Sequence, residues 1–338
     1  MSEKESGVSV VICCHNSAQR LSETLAHLAR QQAPPEIAWE VLVVDNASTD
    51  DTVEIARRAW PGNAPAALRI THEPNLGLAH ARRRGFLESR FELVSFVDDD
   101  NWVCDDWVAQ VARIMDRHPQ VGLLGGSATA VPEGPVPAWF AAHSGSFAVG
   151  EQAHAPGECR HLWGAGLTIR KAVWLQLRDA GFVPALAGRR GSSLTAGEDS
   201  EICLAAALAG WHLYYEPELK LHHFIPSSRL TWDHLRKLYR GFGAARVYLP
   251  LYQGWWEDND YSRTAHLSWF GRLWFSLRDL YGKRRSLFAR PVEGDPEALY
   301  AEWSRGFFGA LLREALAYSR NARGIRQLRR FLSSGRPA

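Results

Sequence analysis

Three consecutive carboxylates, Asp98, Asp99 and Asp100, follow the apolar run in "ELVSFVDDDNW" (92–102). Like charges side by side repel, so such a run needs solvent or a cation to be tolerable. One reading is a polar turn in which Asp and Asn bond local backbone groups. The other is a divalent-cation site. Mg2+ and Mn2+ prefer hard oxygen ligands, and where they hold phosphoryl groups one or two carboxylates suffice, with phosphate and water completing the shell. Adjacent carboxylates after a strand can divide that work, one contacting a ribose and another the metal.

Four other stretches carry groups of the same kind. In "VVDNASTDDT" (43–52) the carboxylate of Asp45 can accept the imide N–H of a uracil while Asn46 and Ser48 shape the loop; an Asp-Asn-Ser turn with helix capping explains the same letters. In "EPNLGLAHARRRGF" (73–86), Asn75 and Gly77 open a helix whose first turn can approach a ligand closely. Arg82 lies on that helix, and Arg83 and Arg84 fit a solvated face. In "SLTAGEDSEI" (193–202), Glu198, Asp199 and Glu201 compete as a general base, against the plainer role of acids at a helix start. In "KLHHFIPSSR" (220–229), a neutral imidazole of His222 or His223 could complete a metal site, or both could be surface residues.

The elements that position these groups follow from periodicity. "VSVVICC" (8–14), "EVLVVD" (40–45), "ALRITHE" (67–73) and "ELVSFVD" (92–98) read as strands. Between them, 18–32, 50–60 and 77–89 read as helices, the first with Leu21, Leu25 and Leu28 on one face and Ser17 as its cap. Continuous apolar strands alternating with amphipathic helices imply βαβ units and a parallel sheet covered on both faces. In such sheets ligands bind beyond the carboxyl ends of the strands, where Asp45 and Asp98 sit. From 101 to 226 the pattern loosens, with helical pieces at 170–181 and at 198–210, the latter closed by Gly210.

Composition sets the outer bounds. The 338 residues suffice for one large domain or two ordinary ones. Net charge is +2, but residues 230–338 hold 19 Lys/Arg against 10 Asp/Glu, leaving 20 against 27 for residues 1–229. An acidic body with a basic tail fits an anionic surface partner for the tail; nothing indicates a nucleic acid. Five cysteines without a C-x-x-C pair fit a reduced, cytoplasmic setting. The N-terminus reads as lacking a signal peptide, and no stretch has the roughly 18–20 apolar residues of a membrane span.

Taken in order, strand, D-N-A-S-x-D, N-x-G-x-x-x-A-R-x-x-G, strand-D-D-D, G-E-D and x-H-H, the chain resembles the family 2 glycosyltransferases of the GT-A fold over about residues 7–226. The piece from "GRRGSSLTAGEDSEI" through "IPSSRLTWDHLRKLYRGFG" resembles members found in bacterial polysaccharide assembly. The resemblance implies an α/β, doubly wound, mostly parallel GT-A sheet in a catalytic domain of 1–226 (nucleotide half 1–100, acceptor half 101–226), followed by a helical, basic, aromatic-rich region, 227–338. It implies an inverting transferase that moves a sugar from a nucleotide-sugar, most often a UDP-sugar, to a saccharide or lipid-linked saccharide acceptor, with Mn2+ or Mg2+ as cofactor. Carried over residue by residue, Asp45 binds the base, with Asn46, Asn75 and Gly77 around the nucleotide and Arg82 assisting. Asp98 contacts the ribose or metal, Asp99 is a spacer within the nucleotide-sugar site, and Asp100 is the metal ligand. Asp199 is the base, with Glu198 beside it, and His223 helps hold the metal or diphosphate. "LWGAGLTIRK" (162–171), through Trp163, Gly164, Ala165 and Gly166, lines the sugar or acceptor pocket, or makes a tight turn before a strand. Two departures, Arg83 for the usual Asn and a first loop reading "CCHNS", leave the geometry of the base pocket open.

Two rival classes fit less well. A sugar-phosphate nucleotidyltransferase calls for a Gly-rich phosphate loop after the first strand, and "CCHNSAQR" has no Gly. A non-catalytic glycan-binding relative would not need Asp100 and Asp199. In the tail, Trp303, Phe307, Leu311 and Leu312 share one stripe and Ile325, Leu328 and Phe331 another, with Arg326, Arg329 and Arg330 facing away. These stripes serve either to pack on the body or to lie on an anionic membrane, peripherally at its inner face.

Overall fold

The computed structural model describes residues 5–186, 196–252, 268–284 and 292–334. The stretch "GRRGSSLT" (188–195), part of the resemblance, lies outside them. The chain forms two compact units: one comprises residues 1–131, 147–176 and 211–225, the other 132–146, 177–210 and 226–338. A cut at residue 226 separates them only in part, because two inserted segments fold with the tail.

The first unit is built on strands β1 (Glu5–Cys14), β2 (Trp39–Asp45), β3 (Ala67–His72), β4 (Phe91–Phe96), β5 (Asn101–Val103), β6 (Val121–Pro132), β7 (Gly157–Cys159), β8 (Thr168–Arg170) and β9 (His212–Ile225). The sheet order is β3-β2-β1-β4-β8-β6-β9-β5, with β7 on β9. β3, β2, β1 and β4 are parallel, as the alternating periods imply, and β8 then joins β4 antiparallel. Beyond β4 the sheet is completed by the short strands β5, β7 and β8 and the long strands β6 and β9, none of which the apolar periodicity identified, although burial alternates along β9.

Alternation along β1 shows how both faces are covered. Val8, Val10 and Ile12 pack with Leu21, Leu25 and Leu28 of helix α1 (Leu21–Ala29), Ala56 of α2 (Thr52–Ala59) and Trp107, Val108 and Val111 of α4 (Trp107–Arg117). Val11 points the other way, against Gly85 of α3 (Leu78–Glu88), where an added Cβ would stand 2.7 Å from Val11 Cγ1. Each buried Val, Leu or Ile is worth about 1.5–3 kcal/mol of transfer free energy, so this layer is the main source of the first unit's stability. Ser17 does not cap α1 as expected: the helix starts after Arg20, and the Ser17 N–H donates to Thr52 Oγ1 at 2.8 Å.

The second unit is helical: α5 (Phe140–His143), the end of α6 (Lys171–Asp179), α7 (Glu198–Leu208), α8 (Trp232–Ala245), α9 (Trp269–Gly282), α10 (Pro296–Arg313) and α11 (Tyr318–Ser334). α8 and α10 cross closely at two glycines. A Cβ on Gly243 would lie 1.9 Å from the Trp303 carbonyl oxygen, and one on Gly306 1.9 Å from that of Arg240. Beside the crossing, the buried Glu302 accepts from Arg236, Arg240 and Arg305. The stripes of the tail are mostly interior. Phe307, Leu311, Ile325 and Leu328 are buried and Trp303 half-buried, so packing accounts for them, while Leu312 and Phe331 are exposed. Among the described residues no helix is long and apolar enough to cross a membrane.

Candidate functional site

The first unit carries its polar groups at the carboxyl ends of β1, β2 and β4. The loops after β1 and β2 are bonded into one structure. Asn16, with a left-handed φ of 52°, accepts from the Thr49 N–H at 2.8 Å and donates its own N–H to Ser48 Oγ at 3.1 Å. The Ala18 N–H donates to Asp50 Oδ2 at 3.1 Å, and His15 Nδ1 lies 2.8 Å from the Asn46 carbonyl oxygen. The unusual "CCHNS" loop is therefore the counterpart of "NASTDD", a partnership that distance in sequence concealed.

Asp45 is buried at the end of β2. Its Oδ1 accepts from the Ser48 N–H at 3.3 Å, and its Oδ2 is 2.9 Å from His72 Nδ1. Asn46 binds backbone rather than opening toward solvent. Its amide donates to the Glu73 and Asn75 carbonyl oxygens at 3.0 and 2.7 Å and accepts from the Gly77 N–H at 2.8 Å. Asn46 thus fixes the loop that delivers Asn75 and Gly77, the latter at φ 141° just before α3. Glu73, not singled out in the sequence, completes that loop. It accepts from Asn75 N–H and Nδ2 at 3.0 and 2.8 Å and from Arg84 Nε at 3.3 Å. Burial alone would raise its pKa, but the donors from Asn75 and Arg84 hold it below the ordinary value. Arg84 is therefore not a bystander on a solvated face: it also pairs with Glu88. Arg82 lies over the Phe96 ring, 5.7 Å from its centroid.

The three aspartates after β4 take different directions. Asp98 opens a turn in which its carbonyl oxygen accepts from the Asn101 N–H at 3.0 Å. Asp99 turns onto α1, its Oδ2 2.7 Å from Arg20 NH2 and its carbonyl oxygen accepting from Thr24 Oγ1 at 2.9 Å. Burial, then the neighbouring Asp100 charge, push the Asp99 pKa up, and Arg20 opposes them. Asp100 is buried, and its carbonyl oxygen accepts from the Phe224 N–H at 2.9 Å. β5 starts at the next residue and pairs with β9 so that Asn101 faces His223 and Trp102 faces His222.

That register, with side-chain alternation, separates the two histidines. His223 is buried with Nε2 3.6 Å from Asp100 Oδ1, and His222 is exposed. The His223 Nδ1 atom is buried without a hydrogen-bond partner. Asp100 Oδ1 and His223 Nε2 thus face each other as an oxygen and a nitrogen donor, a pair that could hold a divalent cation bringing phosphate and water ligands of its own. Asp98, expected to join them as a third ligand, does not: among the described residues no group of three His, Cys, Asp or Glu side chains is gathered for a metal.

Trp163 to Gly166 precede β8. The Gly166 φ is +69°, and a Cβ there would stand 2.7 Å from the Trp107 ring and 2.6 Å from Leu221 Cδ2. Close approach at Gly166 is thus to the core, in a tight turn. Gly164 accepts from the Leu167 N–H at 3.3 Å within that turn, and Ala165 is buried.

In the second unit the G-E-D segment starts α7. Gly197 has a φ of +97°, and a Cβ there would lie 2.8 Å from Ala245 Cβ. Glu198 and Asp199 are half-buried in the first turn, and Asp199 Oδ1 accepts from the Ser200 N–H at 2.8 Å. Glu201 leaves the competition for a base. Its carboxylate accepts from the Ala185 and Leu186 N–H groups, each at 2.9 Å, and from the Tyr252 hydroxyl at 2.7 Å. Burial pushes its pKa up to about 7.

Comparison with known proteins agrees with this arrangement. The model of "Glycosyl transferase family 2" matches residues 9–173 and that of "Glycosyl transferase family group 2" residues 93–282, over half of the chain. The succinoglycan biosynthesis protein ExoM of Rhizobium meliloti is 25% identical over 240 residues, 69% of this chain and 72% of its own. Among solved structures, Pyrobaculum calidifontis mannosyltransferase PcManGT with GDP-Man and Mn2+ matches with a TM-score of 0.58 and 17% identity, over 93% of this chain and 90% of that one. Staphylococcus aureus TarS 1-349 with UDP-GlcNAc matches at 0.52 and 19%, over 97% and 91%. Both structures share the GT-A fold with this protein. The ordered motifs, the sheet that sets acids at its strand ends and the two family matches together establish that the chain belongs to the family 2 glycosyltransferases, enzymes that transfer sugars from nucleotide-sugars.

Proposed function

We propose that this enzyme transfers a glycosyl group from a UDP-sugar to a saccharide hydroxyl with inversion of the anomeric centre, with bound Mn2+ or Mg2+, in the assembly of a bacterial polysaccharide or glycoconjugate. The observation that carries the reading is the pairing of buried Asp100 with buried His223, Oδ1 to Nε2 at 3.6 Å, on the same sheet that ends β2 in Asp45.

Asp45 is the acceptor for the uracil imide N–H, held by Ser48 and His72. Asn46 keeps Asn75 and Gly77 in place, so the start of α3 offers backbone close to the nucleotide. Arg82 is the cation on α3 for the diphosphate. Asp100 and His223 would hold the metal, with Asp98 toward the ribose; the metal would neutralise charge growing on the leaving diphosphate. The acceptor hydroxyl forms its bond to the anomeric carbon as the bond from that carbon to the diphosphate oxygen breaks. The hydroxyl proton passes to the Asp199 carboxylate, and the electron pair leaves with UDP. A hydroxyl is a poor nucleophile until its proton has a destination, which is why a base is needed.

The test is calorimetric titration with UDP in the presence of Mn2+, alongside a screen of nucleotide-sugars for hydrolysis. UDP should bind, more weakly after chelation, and Asp45→Ala should weaken it further. If UDP does not bind while GDP does, the base assignment is wrong; if no nucleotide binds, the donor site is.

A further inference from the structure

We propose that the outward face of α9 docks the protein onto a bilayer surface that carries anionic headgroups. Phe270, Trp274, Leu277 and Tyr281 recur at intervals of four, three and four residues, which at 100° per residue confines them to one arc of about 60°. They are 75%, 72%, 44% and 69% exposed. Single exposed apolar residues are ordinary on a protein surface, but a contiguous aromatic row along a helix calls for a partner.

The helix is held in this rotation by what lies beneath it. Arg272 and Ser276, on the opposite side, are wholly buried. The Arg272 guanidinium donates to the Val247 and Arg246 carbonyl oxygens at 2.6 and 2.7 Å and to the Tyr318 hydroxyl at 3.0 Å, and it lies over the Phe307 ring. Rolling the aromatic row inward would tear out these bonds. The usual arrangement of a surface helix is inverted, and its polar residues provide the anchor.

The chemistry of the row selects the partner. Trp and Tyr favour the headgroup level of a bilayer, where an apolar ring and a polar edge are both accommodated. Arg278 and Arg284 are exposed, and the Arg284 guanidinium lies over the Tyr281 ring, 4.5 Å from its centroid. The one acid of the helix, Asp279, is on the inner side in an ion pair with Lys283. Among the described residues of α9 and of the two residues that follow it, the outward face presents arginines and no carboxylate, complementary to an anionic surface. A second copy of the same face would set arginine against arginine. Segment 230–338 as a whole, with 19 Lys/Arg against 10 Asp/Glu, adds long-range attraction. This role falls to α9 and not to the stripes of α10 and α11, which are mostly interior.

Vesicle binding needs no nucleotide, so its outcome is independent of the proposed reaction. The full-length protein is sedimented with vesicles of phosphatidylcholine, alone or mixed with phosphatidylglycerol. Binding to the mixed vesicles is expected, reduced by salt and accompanied by a blue shift of tryptophan fluorescence. The combined variant Phe270→Ser, Trp274→Ser, Leu277→Ser, Tyr281→Ser should bind at least about tenfold more weakly with its unfolding midpoint retained. Should that variant unfold, Arg278→Glu with Arg284→Glu serves instead and should lower binding to the mixed vesicles alone. Absence of wild-type binding to mixed vesicles at low salt would overturn the proposal, as would undiminished binding by either folded variant. A wild-type dimer that the serine variant dissolves, with no vesicle binding, would also overturn it and assign the face to a second copy.

Discussion

Two clusters of acids, Asp98-Asp99-Asp100 in the first unit and Glu198-Asp199-x-Glu201 in the second, look alike as sequence and are resolved by different means. In each, one carboxylate turns inward to hold the scaffold. Asp99 does so against a cation, Arg20. Glu201 does so against two backbone N–H groups and the Tyr252 hydroxyl, with no cation among these donors. A run of carboxylates therefore overstates the number available for chemistry. Asp99 has a counter-charge in Arg20, yet burial and the Asp100 charge still raise its pKa. Glu201 has donors but no counter-charge, and burial raises it to about 7.

The sharpest way to break the comparison is to remove the acids assigned to chemistry. Asp100→Ala and Asp199→Asn are each expected to lower kcat by about 10²–10³-fold. Asp199→Asn with full transfer activity would end its assignment as base. Asp100→Ala that still binds UDP and Mn2+ as tightly as wild type would remove it from the metal pair.

The inward members should show the opposite pattern, loss of stability first. Arg20→Ala leaves the half-buried Asp99 beside Asp100 without its cation. A fully buried pair broken in this way costs about 3–5 kcal/mol. Arg20 is part-exposed, so roughly 2 kcal/mol is expected, read as a lowered denaturation midpoint. Arg20→Lys should recover part of it. If Arg20→Ala leaves stability intact, the Asp99 ion pair is no brace.

These assignments show what the sequence made legible. The four parallel strands, three helices between them and the positions of Asp45 and Asp98–Asp100 followed from apolar periodicity, because each βαβ unit is local. Arg20 was not legible as the partner of Asp99, because 79 residues separate them and only the fold brings α1 over the end of β4. Nor was Glu201 separable from Asp199, since its donors come from residues 185, 186 and 252. The resemblance picked His223 over His222, but the physical reason lies in the β5–β9 register, in which a three-residue strand too short for a periodic signal sets which imidazole turns inward. Asn46 illustrates a subtler limit. Its place in the motif was legible, but its partners are backbone carbonyls and an N–H, which no side-chain pattern reveals.

The smallest effect tests the inward member of the second cluster, through pH. Glu201 has a folded pKa above that of the unfolded chain, so the native state holds a proton that the unfolded state has already released between roughly pH 4.5 and 7. Stability contributed by the neutral form is complete below the unfolded pKa and declines as pH rises through this window, then levels off above 7. Chemical denaturation across pH 5 to 8, read by a probe in the second unit, should show that decline in the wild type and a flatter profile in Glu201→Gln. The substitution has its own cost, because an amide cannot accept from the Ala185 and Leu186 N–H groups together, so the slope with pH and not the absolute midpoint is the measure. An unchanged slope would mean that the donors from Ala185, Leu186 and Tyr252 outweigh burial and keep Glu201 ionised throughout.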